Sequence, residues 1–277
     1  MELASLLDAA VPTAADAWTA VGTDTVPVGV SRIKKIIIGL APDWGLTAGS
    51  VRMAPVIRLQ GSGLQEQNPH EYIGKFGGHA EVTTGGISMQ DLRVEYDVDI
   101  PVQSGGTIDV DCNTLDEAVT AGSVIVNIIY DDKAPVKVNS MAQFVDAAGT
   151  TTADAWAALG TVTIPRADEA KDATKIIGLV IAIAVDQGTS AVSLRAVPMI
   201  RLSGAGLKGS GKHEYVGQLH SQGEIGTTPS QGIVQDGGYA MIVTDLDINA
   251  GGQIVVEQQY VTETPTASTI AVGFLYA

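Results

Sequence analysis

The chain has 277 residues, of which 45% are hydrophobic and only 17% charged, a balance that excludes a disordered polymer and suits one large or two ordinary domains. Its 31 acidic residues outnumber 16 basic ones, for a net charge of -15; the cations are scattered, so no direct contact with a nucleic-acid backbone is expected. No apolar run approaches the roughly 18 to 20 residues that cross a bilayer as a helix, and a lone cysteine, Cys112, forms no intramolecular disulfide.

The opening Met1-Glu-Leu-Ala-Ser-Leu-Leu-Asp8 has no basic segment and reaches an acid before an apolar stretch develops, which predicts no secretory signal and folding in a cytosol. Met1 to Ala9 reads as one or two helical turns, and so does Ala15 to Val21, with good helix formers after a Thr or Asp start. Trp18 in the second of these is expected to cap one end of the core. Strands follow at Thr23 to Val28, Val51 to Leu59, Leu92 to Ile100 and Ser123 to Tyr130, where apolar and polar residues alternate and β-branched residues are frequent. Glycine clusters at Gly61-Ser-Gly63, Gly77-Gly78, Gly85-Gly86 and Gly105-Gly106 mark turns between them.

The same text then begins again. Asp16-Ala-Trp18 returns as Asp154-Ala-Trp156 at an offset of 138 residues, and Leu7-Asp8-Ala9-Ala10 as Val145-Asp146-Ala147-Ala148. Pro55-Val-Ile-Arg58-Leu59 returns as Pro198-Met-Ile-Arg201-Leu202, now at 143, with paired glycines Gly61/Gly204 and Gly63/Gly206. His70-Glu71-Tyr72 returns as His213-Glu214-Tyr215, and Gly105-Gly106 as Gly251-Gly252. Matches in unchanged order with a slowly drifting offset describe two copies of one fold whose loops differ in length. The expected division is residues 1–131, a joint at 132–138 that contains Pro135, and residues 139–277. Helical turns are expected again at Met141 to Ala148 and Ala153 to Leu159. Each copy holds about eight strands, which predicts an all-β chain of two tandem eight-stranded jelly-roll or β-sandwich domains.

Catalytic chemistry is hard to assemble from these residues. His70 and Tyr72 share one face of a strand and Glu71 takes the other, so the trio does not converge on one substrate atom; the same holds for His213, Glu214 and Tyr215. These six residues, with Arg58, Arg201, Trp18 and Trp156, are candidates for structure or subunit contact. Asp97/Asp99 and Asp109/Asp111 fall on common strand faces, but they lack the interleaved glycine of a calcium loop and read as solvated faces. No zinc spacing, P-loop, dinucleotide fingerprint or nucleophile elbow is present, and no cofactor is implied. Gly61-Ser-Gly63 follows a strand without opening a helix and reads as a tight turn. Cys112, between strand aspartates, reads as an inert thiol.

Two fused eight-stranded units with low charge, many glycines and threonines and no catalytic set resemble the double jelly-roll major capsid proteins of icosahedral viruses, the adenovirus-type lineage. The resemblance implies a homotrimer of six barrels forming a pseudo-hexagonal tile, located in the virion and made in the host cytoplasm. Its partners would be further copies of itself, minor capsid proteins or an internal membrane. The alternatives are a tandem carbohydrate-binding or surface-binding module and a repeated-barrel subunit of a tube or filament.

Overall fold

The computed structural model describes residues 3–43, 51–65, 68–75, 77–79, 93–116, 121–131, 141–165, 173–186, 194–209, 213–217, 220–222, 238–262 and 267–277. The first half contributes β1 (Leu3–Ala10), β2 (Thr19–Thr25), β3 (Arg32–Asp43), β4 (Val51–Gln60), β5 (His70–Ile73), β6 (Gly77–His79), β7 (Val94–Pro101), β8 (Thr107–Asp116) and β9 (Ala121–Asp131). The second contributes β10 (Met141–Ala148), β11 (Ala157–Thr163), β12 (Lys175–Asp186), β13 (Leu194–Ser203), β14 (His213–Val216), β15 (His220–Gln222), β16 (Gly238–Asp247), β17 (Gln253–Thr262) and β18 (Ala267–Tyr276).

These strands form four antiparallel sheets, ordered β1-β9-β3-β7, β2-β8-β4-β5, β10-β18-β12-β16 and β11-β17-β13-β14. Short strands β6 and β15 extend the second and fourth by pairing with β4 and β13. In each half the chain passes back and forth between two facing sheets, and this strand order is that of a jelly roll. The fold is therefore all-β, and the second half repeats the strand order of the first. No named sheet spans both halves.

The repeated Pro55 and Pro198 account for a shared detail. β5 pairs with Val56 to Leu59 and β6 with Val51 to Met53, leaving the ladder open beside Pro55; β14 and β15 flank Pro198 in the same way. Proline has no N–H to donate on that edge, and its carbonyl instead accepts from Gly74 N–H at 2.6 Å, as Pro198 does from Gly217 at 2.8 Å. With β5 and β6 counted as one interrupted strand, and β14 and β15 as another, each half has eight. Bulges also recur at matching places: Ala20/Gly22 and Ala158/Gly160, and Ile33/Lys35 and Ile176/Gly178. Each inserts a residue that sharpens the local twist.

The expected helical turns are not formed. β1 and β10 are strands, each laid along a neighbour through eight paired residues, and that pairing outweighs the helix propensity of their Ala and Leu residues. Asp16 and Asp154 have left-handed backbones (φ 56° and 54°), which end a right-handed helix; their N–H groups donate to Thr114 O at 2.9 Å and Tyr260 O at 2.8 Å. Among the described residues there is no helix. Gly77-Gly78 also differs from the expected turn and lies within β6. Gly85-Gly86 and the joint 132–138 fall outside the described residues.

Each jelly roll encloses an apolar core. The first is filled by residues such as Ile33, Ile36, Ile57, Val98, Ile108, Val126 and Tyr130, the second by Ile176, Ile181, Ile200, Ile254, Val272 and Phe274, all fully buried. A third cluster, Ala54, Val56, Ile73, Leu115, Ala182 and Ala271, lies between the halves and is at most 1% exposed.

Candidate functional site

The third cluster locates the surface on which the chain's own chemistry converges. On β4, Ile57 and Leu59 face the first core while Ala54 and Val56 face out of the jelly roll, as period two requires. Their row is completed by Ile73 on β5 and Leu115 on β8. This outer face of the β2 sheet meets the outer face of the β10 sheet, where Ala182, Ala271 and Phe144 join the same cluster and Ala142, Val180 and Leu275 join the first core. Gly273 permits the close approach, since a Cβ there would sit 3.2 Å from Ile73 Cδ1. At the margin Tyr96 Oη donates to Ile73 O at 2.5 Å and lies 2.9 Å from Tyr239 Oη. Burial first, then the neighbouring Tyr239, pushes the Tyr96 hydroxyl far above its ordinary range, so it stays protonated.

The candidate residues Trp18, Arg58 and Glu71 edge this contact. Trp18 is half-buried against the third cluster rather than closing the core. The Arg58 guanidinium stacks 3.6 Å above its ring and binds Glu71 Oε1 through Nε at 3.0 Å and Nη2 at 2.9 Å. Burial pushes the Glu71 carboxyl up, against the opposing pull of Arg58. His70 and Tyr72 point the other way, fully buried in the first core, where Tyr72 tilts against Tyr96 at 5.0 Å. The trio is thus split between two faces and does not form a common site.

The second half builds the same constellation with a different ion pair. Arg201 stacks 4.2 Å from Trp156, yet binds Glu257 on β17 through Nε and Nη2, both at 2.7 Å, with Glu214 only at 4.0 Å. Glu257 takes the role because it occupies the position of Asp111 in the first half, one methylene longer and able to grip the guanidinium from both oxygens. His213 and Tyr215 are half-buried and Glu214 is exposed.

The remaining singled-out residues serve the scaffold. Gly61 (φ 118°) and Gly204 (φ 114°) have left-handed backbones, and a Cβ at either would lie 2.6 Å from a carbonyl oxygen of β8 or β17. Asp99 pairs with Arg32 and Asp97 with Lys35; Asp109 accepts from Thr23 and Asp111 from Gln60. Among the described residues no three His, Cys, Asp or Glu side chains gather as metal ligands. The Cys112 thiol is pushed up to about 12, first by burial and then by Asp111. The inter-sheet residues Ala54, Val56, Ile73, Leu115, Ala182, Ala271 and Tyr239 escape a motif search; their signal is that β4 and β12 are apolar on both faces.

No family model and no curated protein matches the sequence. Among solved structures the chain is similar to the STIV MCP, a major capsid protein, with 10% identity and a TM-score of 0.44 over 100% of this chain and 96% of that one. It is also similar to peptide-N(4)-(N-acetyl-β-D-glucosaminyl)asparagine amidase, with 13% identity and a TM-score of 0.32 over 99% and 96%. A third is the PBSX exported protein XepA, with 10% identity and 0.25 over 99% and 86%. These similarities are weak, and the jelly-roll assignment rests on the strand order.

Proposed function

We propose that this chain is a structural, self-assembling protein, a viral major capsid protein whose homotrimers present six jelly rolls as a pseudo-hexagonal tile. The observation that carries this reading is the apolar packing of one jelly roll's outer sheet on the other's, which supports reading residues 1–131 and 139–277 as two fixed lobes of one building block. Oligomers built from such blocks use closed symmetry, and a chain that already supplies two lobes needs only three copies to complete six. The repeated residues support architecture over catalysis: prolines that interrupt a strand, glycines at tight turns and arginines stacked on tryptophans. Its partners are then further copies of itself, with minor capsid proteins or an internal membrane as neighbours in a virion assembled from protein made in the host cytoplasm. A net charge of -15 disfavours direct contact with the genome.

Electron microscopy of the purified protein, paired with sedimentation velocity, tests the reading. Six-lobed particles with the mass of three chains are expected; a monomer at every concentration, or a helical tube, overturns the trimer.

A further inference from the structure

Each outer face buried between the two halves has an unburied counterpart on the same chain. In the first half the outer row of the β2 sheet is Ala54, Val56, Ile73 and Leu115, all at most 1% exposed. Register places Val197, Met199, Val216 and Val261 at the equivalent positions of the β11 sheet. There Val216 is 57% exposed, and the other three are partly open. The covering face behaves likewise. Ala142, Phe144, Ala271 and Val180 of the β10 sheet correspond to Ala4, Leu6, Ile125 and Ile37 of the β1 sheet, where Leu6 is 64% and Ile125 36% exposed. The apolar part of that face is bounded at β7 by the ion pairs of Lys35 and Arg93 with Glu95. Two apolar faces are therefore left over, and each is the counterpart of one partner in a contact the chain already makes.

We propose that the outer face of the β11 sheet packs on the outer face of the β1 sheet of a second copy, repeating between chains the contact that joins the two halves within one. The proposal rests on the self-assembly reading above and specifies which surfaces carry it. Within the chain Phe144 of β10 and Ile73 of β5 share one cluster, so Leu6 of one chain meets Val216 of the next. Most substitutions between equivalent positions keep the contact apolar: Phe144 to Leu6, Ile73 to Val216, Val56 to Met199. The exception is Asn127 in the place of Gly273; its amide donates to Ser5 O within its own sheet, and it would face Val216, which lacks the Cδ1 that crowds Gly273 from Ile73. Arg201, Trp156 and Glu214 then edge the contact as Arg58, Trp18 and Glu71 do inside the chain. Because the two faces differ, the contact is head-to-tail: every chain offers one face and receives on the other, so closure gives a ring.

The test uses the full chain. Val216→Glu and Leu6→Glu each place a carboxylate in the contact at an already exposed position, so circular dichroism and thermal melting should match the parent. Each variant should sediment as a monomer at concentrations where the parent is assembled, a loss of at least roughly a hundredfold in affinity. A Leu6→Cys, Val216→Cys double variant should oxidise to covalent oligomers, while either cysteine alone should give none; Cys112 is buried and does not compete. A parent that assembles while the folded Glu variants assemble equally well overturns this contact and leaves self-assembly standing, and cross-linking by a single cysteine replaces it with a self-complementary one. A parent that stays monomeric overturns both readings.

Discussion

The hydroxyl groups of Tyr96 and Tyr239 lie 2.9 Å apart, one from each jelly roll, and Tyr96 Oη also donates to Ile73 O. Since Tyr96 has a single proton and directs it to the carbonyl, Tyr239 is the donor between the two rings. Tyr239→Phe then removes one hydrogen bond and should cost about 1 kcal/mol, whereas Tyr96→Phe removes both and should cost about 2–3 kcal/mol. Urea denaturation of the two variants checks the order; equal costs would contradict this donor chain.

Gly105 and Gly106 are adjacent and should respond differently to alanine. Gly105 has φ 78°, and a Cβ added there would meet nothing within 4 Å, so Gly105→Ala costs only backbone strain, about 1–2 kcal/mol. A Cβ on Gly106 would lie 2.6 Å from Gly63 Cα and 2.8 Å from Ser62 O, where no flexible side chain can yield. Gly106→Ala should therefore lower the melting temperature further than Gly105→Ala, and in the second half Gly252, where a Cβ would lie 2.7 Å from Gly206 Cα, should respond as Gly106 does.

How much of this is legible in the sequence depends on which force decides each feature. A strand such as β7 announces itself because one face is apolar and the other polar. β1 does not, since Leu3-Ala-Ser-Leu-Leu-Asp-Ala-Ala is built from helix formers and becomes a strand only by pairing with β9. Trp18 reads as a core residue, but a side chain that must keep its face under Arg58 belongs outside the core. The contact between halves is visible only in part. β4 and β13 are apolar on both faces, which signals double burial, yet the outer face of β13 is open. Which face finds a partner within the chain is a property of how the halves are joined, not of either strand.

Asp146 gives a pH dependence of defined sign. Its carboxyl is pushed up, first by burial and then by the charge of Asp16. A carboxylate whose folded value lies above its unfolded one destabilises the fold once ionised, so its contribution falls as pH rises from the ordinary carboxylate range through the raised value. Asp146→Asn should accordingly be more stable than the parent at about pH 7, with the difference shrinking toward about pH 3. Melting temperatures of both proteins across that range decide the matter, and a gap that widens in acid would refute it.

Glu71 and Glu214 occupy the same position in successive jelly rolls and should not be equally important. Glu71 is the acceptor for Arg58 at 2.9 and 3.0 Å in a half-buried setting, so Glu71→Gln leaves that guanidinium without its charged partner and should cost about 1.5–3 kcal/mol. Arg201 is already held by both oxygens of Glu257 at 2.7 Å, with Glu214 at 4.0 Å and largely in solvent; Glu214→Gln should change stability by less than about 1 kcal/mol. Glu257→Gln should restore the asymmetry in reverse, making the second half the sensitive one. Neither Glu71→Gln nor Glu214→Gln should abolish any hydrolytic turnover, because their histidine neighbours point to the opposite face. Chemical denaturation alongside a hydrolase screen checks both statements, and turnover lost in either variant with its oligomeric state unchanged would restore a catalytic reading of the trio.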